Sequence, residues 1–398
     1  MAVALFTLGG TIAMAGVGRA GQDVGRGGGD DGGPGRGQDV GRGEGGGGGP
    51  VVARLTGADL TAAVPGLTEL GTPLEIRDAH AVPSASLTTS HMLAVVRDAS
   101  RAVAEGAAGV VVTQGTDTLE ETAYLVDLVW PHEEPFVLTG AMRNPTLAGP
   151  DGPANLLAAV LVAEAAEARG LGALVVFNDE IHAARWARKT HSTSTAAFAS
   201  PNAGPIGHVI EGGVRVLARP PRHEPLPVAP ALPSGGPAGA DGSDASGGPV
   251  GSEASDGFVA ADASDASGGS VAAGASEAPR VALYTAALDD DGALLDGLAD
   301  THAGLVVAGF GVGHVPAPLA PVLGALAERI PVVLASRCGS GSVLRATYGA
   351  VGSEVDLQRR GLIDAGLLDP YKARILLRLL LADGADRSAV AAAFARHG

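Results

Sequence analysis

At 398 residues with 46% hydrophobic side chains, the chain has apolar material for two ordinary domains, each with its own core. A formal net charge of -16 excludes the basic face that a nucleic acid or an anionic membrane would need. One cysteine, Cys338, excludes an internal disulfide and a cysteine metal cluster, and is expected as a small buried hydrophobe.

In chain order, the first strand is expected from Val3 to Leu8, followed by Gly9-Gly10-Thr11. Glycines there let the chain turn sharply and present a hydroxyl at the sheet edge, although by itself this is an ordinary strand-to-loop turn. Glycines so early leave no room for the basic and apolar regions of a signal peptide. No apolar run reaches the roughly 18 residues of a membrane span either, so a cytoplasmic protein is expected.

Residues 16–50 are glycine with scattered Arg, Asp and Gln, and the run from Gly21 to Gly27 recurs from Gly37 to Gly43. Residues 227–279 are Gly, Ala, Ser, Pro and Asp, with Ser243 to Gly248 repeated from Ser264 to Gly269. Neither can bury enough apolar surface to offset its ordering entropy, so both are expected to be mobile. Further strands are expected at Gly109–Thr113, Phe136–Thr139, Ala173–Phe177, Arg280–Thr285, Gly304–Ala308 and Pro331–Ala335. Helices are expected at Leu119–Val129, Ala154–Ala168 and Pro370–Leu381. Alternating apolar strands and longer helices indicate an α/β fold: a larger N-terminal domain over residues 1–226, a low-complexity linker over 227–279, and a smaller C-terminal domain over 280–398, each around a mostly parallel sheet.

Ligands of such sheets collect on the loops after the strands' carboxyl ends. After the second strand the chain reads Gln114-Gly115-Thr116-Asp117-Thr118-Leu119-Glu120-Glu121. Thr118 and Glu121 fit a capping box that starts a helix. Asp117 reads alone as a capping carboxylate, or as the anchor of a substrate ammonium group. Lys189, in a polar loop after the fourth strand, is ordinary solvated surface unless it folds inward beside Asp117, where a neutral amine would take a proton from a threonine.

Gly9-Gly10-Thr11-Ile12-Ala13 and the run from Gln114 to Ala123 resemble the two signature motifs of the bacterial-type asparaginase/glutaminase family. Gly140-Ala141-Met142-Arg143 with Asp151-Gly152-Pro153 and Asn155 is similar to a third family block, and the run from Asp369 to Arg374 to its last helix. The resemblance covers nearly everything except the two inserts. It implies an amidohydrolase without cofactor or metal, acting on asparagine through a threonine acyl-enzyme. Thr11 would be the nucleophile, with Thr116 sharing that role in some accounts. Thr116, Asp117 and Lys189 would form the proton-managing triad, and Asp117 and Ser84 would bind the substrate's α-ammonium and α-carboxylate. Glu354 would reach the site of a neighbouring subunit in a homotetramer built of dimers that share active sites.

This chain departs from the family pattern at several positions. No tyrosine occurs between Ala15 and Pro50, where the family carries the partner of its first threonine. Tyr348 or a water takes that place, or catalysis is weaker than in standard members. Gln114 replaces the usual histidine, which is compatible with a scaffold role, and Val312 stands where high-affinity members have asparagine, with His314 nearby. A member that only binds amino acids, or one of mixed asparaginase and glutaminase specificity, are the alternatives. A nucleotide-binding protein lacks its phosphate loop here, and His182, His191 and His208 lack metal-ligand spacing.

Overall fold

The computed structural model describes residues 1–10, 12, 14–15, 52–53, 56–64, 66–227 and 278–398, with the backbone alone for 14–15 and 52–53. The low-complexity inserts lie outside the described residues but for their margins. Met14–Ala15 pairs antiparallel with Val52–Ala53, so the stems of the first insert meet.

The larger sheet runs β1 (Val3–Thr7), β2 (Leu74–Asp78), β3 (Gly109–Thr113), β4 (Phe136–Thr139), β5 (Ala173–Phe177) and β6 (Glu180–Ala183). Among the described residues the two-residue strands β7 (Arg188–Lys189) and β8 (Phe198–Ala199) pair only with each other, and β9 (Gly207–Ile210) and β10 (Gly213–Val216) return to the main sheet. Spatial order is β10-β9-β6-β5-β4-β3-β1-β2, eight strands in all, with β1 to β5 parallel and β6, β9 and β10 antiparallel at one end.

Strands β1, β3, β4 and β5 are buried at every residue, as their unbroken apolar runs require. Val3, Leu5, Val111, Val137, Leu174 and Val176 share a core with helix residues Leu156, Ala159 and Val160. Helices α1 (Thr89–Ala104), α2 (Leu119–Val129) and α3 (Gly152–Glu164) pack on this sheet. The third begins two residues before the expected start and ends before Ala168, because Pro153 opens it and a separate 3-10 turn takes Ala166–Ala168.

The smaller sheet is parallel throughout, in the order β11 (Val281–Thr285), β12 (Gly304–Gly309), β13 (Val332–Ser336) and β14 (Ile363–Asp364). Around it lie α4 (Leu319–Arg329), α5 (Glu354–Arg359), α6 (Pro370–Ala382) and α7 (Arg387–His397). Helix α6 packs on β11, β12 and β13 and also against α2, which ties the smaller sheet to the larger one. The protein is thus a two-domain α/β fold.

Two local expectations fail. Thr118 stands before α2 but its side chain caps nothing: its hydroxyl donates to the Ser84 carbonyl at 3.0 Å instead. Cys338 is exposed rather than buried, because it lies past the end of β13, where the chain leaves the sheet.

Candidate active site

The sequence motifs gather at the carboxyl edge of the larger sheet. Leu8 N–H continues the β1 ladder to Thr113 O at 2.9 Å, and Gly9 and Gly10 then turn with φ of 78° and 92°. A Cβ on Gly10 would sit 2.2 Å from the Gly115 nitrogen, so the first motif presses its backbone directly on the second. Thr11 lies outside the described residues. Ile12, on its far side, is buried and sits where a Cβ on Gly152 would meet it at 2.8 Å.

Beyond β3, Gln114 is fully buried and serves as scaffold: its Nε2 donates to Gly115 O at 3.2 Å and its Oε1 accepts from Thr122 Oγ1 at 2.9 Å. The two polar residues that follow converge on one amine. Lys189 Nζ donates to Thr116 Oγ1 at 2.9 Å and to Asp117 Oδ1 at 3.0 Å. Thr116 is buried, and the Lys189 side chain is 17% exposed. The Asp117 side chain is 68% exposed, which leaves its second oxygen open to a cation in solution. Ser84 joins from the loop after β2: its buried Oγ accepts the Asp117 N–H at 3.3 Å. Ser84, Thr116, Asp117 and Lys189 therefore form one cluster.

Glu354 makes its hydrogen bonds elsewhere in the chain. At the start of α5 it is fully buried, and Oε1 accepts the N–H groups of Thr347 at 2.9 Å and Tyr348 at 2.7 Å. Its Oε2 lies 3.2 Å from His314 Nε2, and the His314 ring meets that of Tyr348 edge-on at 5.0 Å. Burial would raise this carboxyl's pKa, but the backbone N–H groups and His314 outweigh it and hold it below the usual carboxylate range.

Several supporting residues escaped sequence reasoning about roles. Asp151 accepts the N–H groups of Met142 and Arg143, at 3.0 and 2.8 Å. Asn155 bridges strand ends, donating to Gly140 O at 3.0 Å and accepting from Asn178 N at 2.9 Å. Both lie in a family-like block that marked them as noteworthy without saying what they hold. Glu120 is buried and its Oε2 accepts the Lys189 N–H at 2.9 Å. Its only sequence signal was its place in the motif after Thr116.

A hydroxyl, an amine and a carboxylate in one hydrogen-bonded chain can pass a proton, and the exposed carboxylate oxygen can anchor a ligand ammonium. Among the described residues no group of three or more His, Cys, Asp or Glu side chains is placed to hold a metal, and no helix is long and apolar enough to cross a membrane.

A family model described as asparaginase, N-terminal, matches residues 41–222, and one described as glutaminase/asparaginase C-terminal domain matches residues 280–394. The first therefore spans Ser84, Thr116, Asp117 and Lys189 but begins after Thr11. The chain is similar to a probable L-asparaginase of Deinococcus radiodurans, at 33% identity over 336 residues, 83% of this chain and 88% of that one. It is also similar to a probable periplasmic L-asparaginase of Haemophilus influenzae, at 32% identity over 70% of this chain and 67% of that one. In three dimensions it resembles a probable cytoplasmic L-asparaginase from Campylobacter jejuni, with a TM-score of 0.72 at 26% identity over 99% of this chain and 98% of that one.

Proposed function

The chain belongs to the asparaginase family, and we propose that it hydrolyses the side-chain amide of L-asparagine to give L-aspartate and ammonia through a threonine acyl-enzyme. The observation that carries this reading is the Lys189 amine bound at once to Thr116 Oγ1 and Asp117 Oδ1, on a loop against which Gly10 is seated. Thr11, next in the chain after Gly10, is the nucleophile: its oxygen bonds to the amide carbon and the carbonyl oxygen becomes an oxyanion. Collapse of that intermediate breaks the C–N bond, and the nitrogen leaves as ammonia with the proton taken from the threonine. Water then adds to the ester carbon, Thr11 leaves with a proton, and aspartate is released.

Lys189, with Thr116, carries the protons of both steps. The open oxygen of Asp117 binds the substrate α-ammonium, and the buried Ser84 hydroxyl serves the α-carboxylate end of the pocket. In a homotetramer of paired subunits, Glu354 contributes to a neighbour's site by fixing His314 and the backbone at Thr347 and Tyr348. Residues 1–226 and 280–398 act as the two domains of each subunit, in the cytoplasm.

A second reading makes Thr116 the nucleophile, favoured by its direct bond to Lys189. Acid-quenched enzyme carrying its acyl group, digested and weighed by mass spectrometry, distinguishes the two: the added aspartyl mass is expected on Thr11, and its appearance on Thr116 would reverse the assignment. Ammonia release should drop by at least about a thousandfold in Thr11→Ala, Thr116→Ala and Lys189→Met alike, as for residues acting as one unit. Full activity in any one of them would remove that residue from the mechanism.

A further inference from the structure

Lys189 must hold its amine at hydrogen-bond distance from Thr116, 2.9 Å from Oγ1, yet the strand that carries it is two residues long. Among the described residues strand β7 pairs only with β8, through Phe198 and Ala199, and so short a ladder has little rigidity of its own. Two buried charged side chains grip it from outside the ladder. Glu120, in the first turn of α2, takes the Lys189 N–H on Oε2 at 2.9 Å. Lys372, in α6 of the smaller domain and 1% exposed, donates its Nζ to Ala187 O and pairs with Asp369 Oδ2 at 3.0 Å.

The two contacts fall on the backbone atoms that flank Arg188, and they come from different domains. Helices α2 and α6 pack on each other, and the Glu120 and Lys372 side chains they carry are both buried. Burial raises the Glu120 pKa, while Lys372, the Lys189 N–H and Arg188 favour its charged form and Asp369 opposes it. Burying two charges is costly unless their geometry is good and further hydrogen bonds satisfy them.

We propose that Glu120 and Lys372 are positioning residues for the hydrolysis, a clamp across the domain seam that sets the Lys189 amine against Thr116 and Asp117. This rests on the proton-transfer role assigned to Lys189 above. Glu120 acts by accepting the Lys189 N–H, and its charge serves Lys372. The smaller domain thereby takes part in the geometry of a site whose clustered side chains, Ser84, Thr116, Asp117 and Lys189, all come from the larger one.

The test uses the full chain and three variants, with kcat counted per active enzyme, KM, the Kd of aspartate and the unfolding midpoint recorded for each. Glu120→Gln keeps an acceptor oxygen at the same reach and loses the charge. Glu120→Asp keeps the charge and withdraws it by one methylene. The expected result is a kcat within about threefold of the parent for Glu120→Gln and at least about tenfold lower for Glu120→Asp, with KM and aspartate Kd nearly unchanged in both, because Asp117 and Ser84 are untouched. A Glu120→Asp enzyme with the parent kcat, or a Glu120→Gln enzyme as slow as Glu120→Asp, would overturn the clamp. Lys189→Met separates this from failure of the underlying mechanism: if it is inactive while Glu120→Asp is fully active, only the clamp is wrong, and if it is fully active the role of Lys189 itself is wrong.

Discussion

Gly10 shows how a single atom can decide whether two motifs meet. Its φ of 92° is open to glycine at little cost, and a Cβ there would overlap the Gly115 nitrogen at 2.2 Å. Gly10→Ala would have to strain its own backbone or push the Thr116 loop away, and backbone cannot yield as a flexible side chain does. The expected loss is about 2 kcal/mol or more of stability in urea unfolding, together with most of the activity. Retention of both would mean that the two loops part readily. Gly115 is confined too, but by a side chain: a Cβ on it would meet Ser84 Oγ at 2.6 Å and Ser84 Cβ at 2.9 Å.

At the scale of elements, α6 is the piece that joins the domains, and its first turn is built for that position. Asp369 caps the helix by accepting the Lys372 N–H at 3.0 Å, while its other oxygen pairs with the Lys372 amine. Pro370 follows at the first helical position, where its missing N–H costs nothing. Asp369→Ala removes the cap, worth about 1 kcal/mol, and takes the paired carboxylate from a buried ammonium, leaving it the charge of Glu120 and the Ala187 carbonyl, so a total near 3 kcal/mol is expected in urea unfolding. A change below about 0.5 kcal/mol would show that Lys372 finds another counter-charge.

The whole molecule carries a second tie between its two sequence halves, and this one responds to pH. Arg185 donates to His397 O at 2.5 Å and to His223 Nε2 at 2.7 Å, and the rings of His223 and His397 lie 4.4 Å apart. Burial, then the neighbouring His223, Arg185 and Arg396, push the His397 pKa down from 6.5 to about 4. The folded chain therefore keeps this ring neutral where the unfolded chain would already hold a proton. Stability contributed by that neutral ring is complete above pH 6.5 and is lost as pH falls toward about 4. Allowing for solvent screening, the loss is roughly 2 kcal/mol over that window, and His397→Gln should flatten that part of the pH–stability curve. An unchanged slope in the variant would assign the acid sensitivity to other groups.

Much of this fold is written in local pattern. β3, β4 and β5 fall where the apolar runs place them, because a strand buried on both faces must be apolar along its whole length. Thr116 and Asp117 were legible as polar residues just past one of those runs and Lys189 as part of a polar loop after another, while Ser84 was marked by the family resemblance alone; the four come together in the structure. Strands β7 and β8 were not legible, because a two-residue ladder has no period to read. Thr118 looked like a cap and is instead a tether to Ser84, since a hydroxyl takes the partner that the neighbouring loop supplies. The sequence by itself determined the α/β architecture, the two low-complexity interruptions and the residue types at the strand ends. Only the tertiary structure decided that the amine of Lys189 reaches Thr116 across 73 residues, that Glu120 holds its backbone across 69, and that Lys372 reaches Ala187 across 185. Burial patterns repeat every few residues and can be read along the chain, whereas polar contacts at such separations exist only once the sheets and helices have packed.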